Sequence, residues 1–372
     1  MIPSPCFVLD EQKLENNLSL IKHVADQAQV EIILAFKGFA MWSAFPIVRK
    51  YISGATSSSV HEMMLCNEHM QTQSHTYAVA YKASEIDQIL AGSSHITFNS
   101  LSQLEQFGRK AHEQDVSVGL RINPEYSDVA TDLYNPSSPT SRLGVKSEAL
   151  NSGLPEYVEG LHFHVLCESD AEALEKTLEA VEQRFGHLLP QIKWLNMGGG
   201  HLMTRKGYDT DRLIQLLKTF KAKHNLHLIL EPGSAFAWET GTLKTTVLDI
   251  VDNGGMKTAI IDGSFTCHMP DCLEMPYRPN LAKGYKEVTQ AKYQYRLGGV
   301  SCLAGDFLEA YSFEEPLQIG DEIEFLDMIH YTMVKTSTFN GVQHPAIGIL
   351  RKDRTFELVK TFEYDDYKNR LS

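Results

Sequence analysis

A chain of 372 residues with 43 % hydrophobic and 22 % charged residues has the balance of a folded globular protein, not of a disordered or fibrous one, and is long enough for two domains or a barrel with an appendage. Its net charge of -13 argues against nucleic acid or an anionic membrane as partner and would attract a polycationic small molecule. No apolar run reaches the length of a membrane span, and Met1-Ile2-Pro3-Ser4-Pro5 lacks the basic and apolar parts of a signal peptide, so a cytoplasmic location is expected.

In chain order, residues 6–9 read as a short strand, with Asp10 as N-cap of a helix carrying Leu14, Leu18 and Ile21 on one face. The next run, Glu31-Ile-Ile-Leu-Ala-Phe-Lys37-Gly38, is a buried strand ending on a lysine, after which Gly38 lets the backbone turn. Strands and helices then alternate: helix 41–51, strand 52–55, helix 60–69, strand 76–80, helix 85–90, strand 95–98, helix 101–112 and strand 116–122. A long irregular stretch, 123–139, precedes strand 160–165, helix 171–185, strand 192–197, helix 212–224 and strand 226–230. Roughly eight strands alternating with helices predict a (β/α)8 TIM-like barrel. An open doubly wound sheet fits the alternation too, but no Gly-x-Gly-x-x-Gly follows an early strand.

Beyond Glu231-Pro232-Gly233 the pattern changes to β-branched and aromatic runs at 245–251, 258–262, 293–297, 322–326 and 347–350, separated by Gly, Pro and Asp turns. These predict a C-terminal antiparallel β-barrel or sandwich domain. The expected division is therefore a barrel over 10–233 and a β domain over 234–372 that takes in the N-terminal strand 1–9.

Chemistry in such barrels sits at the C-terminal ends of the strands. Those ends carry Lys37, Arg121 and Asn123, His162 and His164, Gly198-Gly199-Gly200, and Glu231. Each has an ordinary reading: a solvated strand-end lysine or glutamate, a core histidine, a tight glycine turn. Lys37 could instead lose its proton and attack an aldehyde, and the glycine run could bring backbone N–H groups close to a phosphate. Together the residues have one economical explanation, pyridoxal 5'-phosphate: an amine for the aldehyde, a glycine loop for the phosphate, a histidine on the ring and a carboxylate at the pyridine nitrogen. The six cysteines suggest no disulfide framework. Cys267-His-Met-Pro-Asp-Cys272 lacks a second ligand pair at zinc-like spacing, and no metal is expected.

The order of these motifs, continued by Cys302-Leu-Ala-Gly-Asp306 and by Met328-Ile-His-Tyr331 through Ser337-Thr-Phe-Asn-Gly341, resembles the alanine-racemase-fold decarboxylases of basic amino acids. Within them, Leu34-Ala-Phe-Lys-Gly-Phe-Ala40, Leu195-Asn-Met-Gly-Gly-Gly-His201 and His268-Met-Pro-Asp271 through Glu274-Met-Pro-Tyr-Arg-Pro279 are similar to carboxynorspermidine/carboxyspermidine decarboxylases. The resemblance implies polyamine synthesis and a homodimer with shared active sites. It makes Lys37 the Schiff-base lysine, stacks His164 on the ring, sets Gly198, Gly199, Gly200 and Tyr331 on the phosphate and places Glu231 at the pyridine nitrogen. Cys302 would be the proton donor, working from the partner subunit, and Asp306 a substrate contact. Asp271 and Glu274 are candidate partners for the substrate's cations. The chain departs from relatives that act on ornithine or diaminopimelate at Cys167 and Ser234, where those carry a serine and an arginine that contact phosphate. Leu303 stands where ornithine enzymes have aspartate. Decarboxylation of diaminopimelate or another basic amino acid is the alternative, and a non-catalytic cofactor-binding protein a more distant one.

Overall fold

Ile33 joins two short strand pieces, Glu31–Ile32 and Leu34–Ala35, and through it a ring of strands closes. Glu31–Ile32 pairs in parallel with His227–Leu230, the last strand of the ring, and Leu34–Ala35 pairs with Ala55–Ser57, the next one. Between them lie Ser74–Tyr77, Ser93–Phe98, Ser117–Arg121, Val158–His162 and Trp194–Asn196, each parallel to its neighbours. The computed structural model describes residues 1–129 and 135–372, so part of the expected irregular stretch 123–139 lies outside the described residues. Contacts divide the chain into one unit of residues 17–236 and a second of residues 1–16 and 237–372.

Helices return the chain from strand to strand. Leu101–Glu113, Ala171–Phe185 and Thr210–His224 open on Ser100, Asp170 and Asp209, each of which accepts a hydrogen bond from a first-turn N–H. Each turns one apolar stripe inward, as Leu174, Leu178, Val181 and Phe185 do in the second. The single helix expected over 41–51 is instead a 3-10 turn, Trp42–Ala44, followed by Phe45–Val48, because Pro46 restarts the backbone there. The helix expected over 60–69 passes at Cys66–Met70 into a π-helical turn.

In the second unit, Cys6–Asp10 lies between Gly241–Asn253 and Ala346–Leu350 in an eight-stranded sheet. The sheet is mainly antiparallel, but two pairings are parallel: Cys6–Asp10 with Ala346–Leu350, and Met256–Ile261 with Tyr293–Gly298. Phe307–Phe313 and Phe356–Lys360 are further strands that the sequence reading did not separate from turns. Among the described residues no helix is long and apolar enough to cross a membrane.

Candidate active site

At the mouth of the ring two turns meet backbone to backbone. A side-chain carbon on Gly38 would lie 2.7 Å from Gly233 Cα, so only a residue without one lets the Lys37-Gly38 turn pack on the Glu231-Pro232-Gly233 turn. Ile33 and Ala35 donate their N–H groups to the carbonyls of Leu230 and Pro232, at 2.9 and 3.1 Å, and fix the two strand ends side by side. Lys37 and Glu231, remote in sequence, are thereby set on neighbouring strands.

Lys37 Nζ lies 3.0 Å from His164 Nε2, and His164 Nδ1 accepts the Gly199 N–H at 2.9 Å. A neutral imidazole carries one proton. With Nδ1 occupied as an acceptor, that proton sits on Nε2 and points at Lys37, which must then offer a lone pair. The geometry therefore calls for an uncharged amine. Crowding by protein around a side chain whose end reaches the open mouth, reinforced by the Arg121 cation, lowers the Lys37 pKa to about 8. Burial and the Arg121 cation hold His164 well below the ordinary imidazole value, so its ring is neutral.

His164 lies beyond its strand, not on it as the alternating pair suggested. The strand ends at His162, and Phe163 gives its N–H to Asn196 O at 2.9 Å as the chain leaves the sheet. Arg121, buried at the end of the adjacent strand, steadies this turn. It donates to His164 O at 3.0 Å and to Tyr77 Oη at 2.6 Å, with its guanidinium 4.8 Å from the Tyr77 ring centre.

Glu231 is 8 % exposed. Its Oε1 accepts from Asn196 Nδ2 at 2.7 Å, and its Oε2 lies 3.7 Å from His162 Nε2. Burial alone would raise this carboxyl. His162 and Asn196 outweigh it and hold the group below the usual carboxylate range, so Glu231 is ionised.

The glycine run is not three open donors. Gly198 gives its N–H to Asn196 Oδ1 at 2.9 Å and Gly199 gives its own to His164, which leaves Gly200 as the one of the three with no N–H partner among the described residues. Gly198 and Gly200 take φ of +63° and +91°, and a side chain at Gly200 would strike the Leu166 carbonyl. Two of the glycines thus shape the ring-facing residues, and the third presents a donor.

The remaining expected residues belong to the second unit. Cys302 is exposed and gives its N–H to Asn340 Oδ1 at 2.8 Å; Tyr331 is half-buried. Asp271 and Glu274, expected to face substrate cations, are both paired with Lys335. The Asp306 carboxylate is buried and accepts from Ser264 Oγ, Thr266 N and Ser301 N at 2.9, 3.0 and 3.1 Å, so in this structure it ties a loop together. Among the described residues no group of three or more His, Cys, Asp and Glu is arranged to hold a metal. Sequence reasoning missed Asn196 and Tyr77. The first showed only as one polar residue in an apolar strand, the second as an aromatic indistinguishable from core.

A lysine of lowered pKa, an ionised carboxylate on the neighbouring strand end and a glycine N–H with no partner among the described residues are the groups that an aldehyde with a pyridine nitrogen and a phosphate requires, so the residues present fit pyridoxal phosphate.

Comparison with known proteins agrees. The family model described as "Pyridoxal-dependent decarboxylase, C-terminal sheet domain" matches residues 6–329. The chain is 52 % identical over its full length to carboxyaminopropylagmatine decarboxylase of Synechocystis sp., covering 96 % of that protein. It is 40 % identical to carboxynorspermidine/carboxyspermidine decarboxylase of Campylobacter jejuni, over 99 % of this chain and 98 % of the relative. The crystal structure of carboxynorspermidine decarboxylase complexed with norspermidine, from the same organism, superposes with a TM-score of 0.93 at 40 % identity, over 99 % of this chain and all of that one. Diaminopimelate decarboxylase of Helicobacter pylori, at 18 % identity over 99 % and 96 % of the two chains and a TM-score of 0.84, shares the fold.

Proposed function

The chain belongs to the pyridoxal-dependent decarboxylases, and on that premise we propose that it removes the carboxyl group of carboxynorspermidine, carboxyspermidine or both, yielding norspermidine or spermidine in polyamine biosynthesis. The observation that carries the activity is the Lys37 amine, held 3.0 Å from His164 Nε2, next to the strand end that holds the buried Glu231 carboxylate. The choice of substrate is supported by full-length likeness to enzymes of that name.

Pyridoxal phosphate, when bound, supplies the aldehyde that captures an amine and the ring that takes up the electron pair left behind by carbon dioxide. Lys37 would be the amine that attaches it, and its pKa, lowered to about 8, raises the share of the amine that carries a free lone pair near neutral pH. Glu231 would hold the ring nitrogen and favour its protonated form; a cationic side chain there would not. His164 would lie against the ring, and the Gly199 N–H on its Nδ1 fixes the angle of the imidazole. The unpartnered Gly200 N–H would hold the phosphate, the role that the family resemblance also gives to Tyr331. Cys302 delivers a proton to the carbon that lost carbon dioxide, from the second subunit of a homodimer, and its exposure leaves the thiol accessible. Asp271 and Glu274 receive the cations of the polyamine tail once Lys335 gives way, and Asp306 supports the loop beside them. A cytoplasmic location belongs to the same proposal.

A second reading follows from the 52 % identity to the Synechocystis enzyme: a carboxylated amine whose tail ends in a guanidinium. A carbon dioxide release assay with carboxynorspermidine, carboxyspermidine, carboxyaminopropylagmatine, ornithine, lysine, arginine and diaminopimelate decides between them. A preference for carboxyaminopropylagmatine replaces the first reading with the second, and a preference for diaminopimelate or a simple basic amino acid refutes both.

A further inference from the structure

Beneath Glu231 the barrel carries a polar layer. Arg121, His162 and Asn196 are paired in register across three adjacent strands, so their side chains point to the same side of the sheet, and Glu231 follows the end of the fourth. His162 is 2 % exposed, and the Tyr77 ring tilts against it at 5.1 Å between centres. Its Nε2 aims at Glu231 Oε2, whereas its Nδ1 is buried with no partner among the described residues. A neutral imidazole so placed carries its proton on Nε2, because only there does it meet an acceptor. A core histidine kept for packing would have no reason to leave one nitrogen orphaned and turn the other toward a buried carboxylate.

We propose that His162 is a positioning residue which, together with Asn196, fixes the direction of the Glu231 carboxylate and keeps it ionised toward the cofactor's ring nitrogen. The division of work is geometric: Asn196 donates to Oε1 at 2.7 Å, and His162 Nε2 faces Oε2 from 3.7 Å, beyond hydrogen-bond length but near enough for its N–H dipole to act on that oxygen. The other titratable groups whose charges act on this site are Lys37, Arg121, Tyr77, Tyr81 and His75. Arg121, a permanent cation, favours an ionised Glu231 and so acts in the same sense as His162, whereas burial lowers the His75 pKa and keeps that ring neutral. The two tyrosines stay neutral, because burial raises both hydroxyls. Loss of His162 removes the N–H dipole that faces Oε2, and the buried Glu231 then takes up a proton at a higher pH than before.

This inference rests on the family's cofactor and not on which polyamine precursor is used. The test therefore reads the cofactor first. Pyridoxal phosphate is removed from and returned to the full-length protein and to the variants His162→Leu and His162→Gln, and its dissociation constant is followed by absorbance at pH 8 and pH 6. Between these pH values His162→Leu should weaken by about tenfold or more beyond the change in the natural protein, one pKa unit being tenfold in affinity. His162→Gln retains an N–H toward Glu231 and should follow the natural protein within about threefold. On whichever substrate the panel identifies, kcat should fall more than KM changes in His162→Leu. Equal losses at both pH values, or a glutamine variant no better than leucine, would show that His162 only packs and would overturn the proposal. Should His162→Leu fail to fold, His162→Asn, polar but too short to reach Oε2, is read by the same criterion.

Discussion

Gly199→Ala puts one methyl group at the point where the ring-facing residues converge. An added Cβ would lie 2.5 Å from the Glu231 carbonyl oxygen and 3.4 Å from His164 Cε1. The first contact is with backbone, so no rotamer change relieves it, and the loop or the Glu231 strand end must retreat by roughly half an ångström to reach a tolerable separation. That movement acts directly on the 2.9 Å bond from Gly199 N to His164 Nδ1 and on the 2.7 Å bond from Glu231 N to Gly198 O. Overpacking of this kind costs about 1–3 kcal/mol. In a folding unit the size of residues 17–236, each kcal/mol lowers Tm by about 2–4 °C, so a fall of about 2–12 °C is expected. The larger consequence is chemical. Once Nδ1 is released, the imidazole no longer has a fixed proton position, and Lys37 loses the donor that favours its neutral form. Differential scanning calorimetry of the cofactor-free protein and absorbance titration with pyridoxal phosphate check both parts. Cofactor affinity should fall by about tenfold or more, consistent with about 1.4 kcal/mol or more. Gly207→Ala is the control. Its φ is +84° and its Cβ meets nothing within 4 Å, so it should lose about 1 kcal/mol through backbone strain and leave cofactor affinity unchanged. A Gly199→Ala protein with natural cofactor affinity and Tm would refute the account of the glycine run.

Lys37→Ala should bind the cofactor without covalent attachment: borohydride treatment followed by mass spectrometry should label the natural protein and not the variant, and a labelled variant would remove Lys37 from its role. Cys302→Ala should keep cofactor affinity and lose about a hundredfold or more in turnover; a near-normal rate with the normal product would refute its part in proton delivery. At the opposite end of the barrel His95, stacked on His75 at 3.9 Å, has its pKa lowered by burial to about 3. Its folded value lies below the unfolded one of about 6.5, so the unfolded chain binds more protons in that window and stability falls as pH drops from about 6.5 toward 3, by about 1.4 kcal/mol per pH unit. Urea unfolding at pH 7, 5 and 4 should show this slope, and His95→Gln should flatten it; an unchanged slope would mean the imidazole is already charged in the folded protein.

The barrel was legible because its strands are short apolar runs between amphipathic helices, a pattern that survives without knowledge of contacts. Helix Ala171–Phe185 has the bounds its apolar spacing gives, with Asp170 as a visible start. The site was legible as a set of residue types at strand ends, but not as a geometry. His162-Phe-His164 looks like strand alternation, yet the strand ends at His162, and His164 is held beyond it by Arg121 on its carbonyl and Gly199 on its ring. The side-chain acceptors of Asn196 and His164 consume the Gly198 and Gly199 N–H groups, which no local pattern announces. Nor does sequence reveal that Lys335 already neutralises Asp271 and Glu274, since the pairs join segments distant along the chain. The edge strand Phe356–Lys360 escaped notice because it is five residues long, lacks strict apolar alternation and buries none of its side chains.

The contact of Gly38 with Gly233 joins the first strand of the ring to the turn that follows its last. During synthesis the lysine emerges early and its acidic counterpart late, so a nascent chain has no place to retain pyridoxal phosphate until the final strand has docked. A fragment ending before residue 227 should remain colourless in the presence of the vitamin despite an intact Lys37, and acquisition of the cofactor can serve as a reporter for completion of the ring.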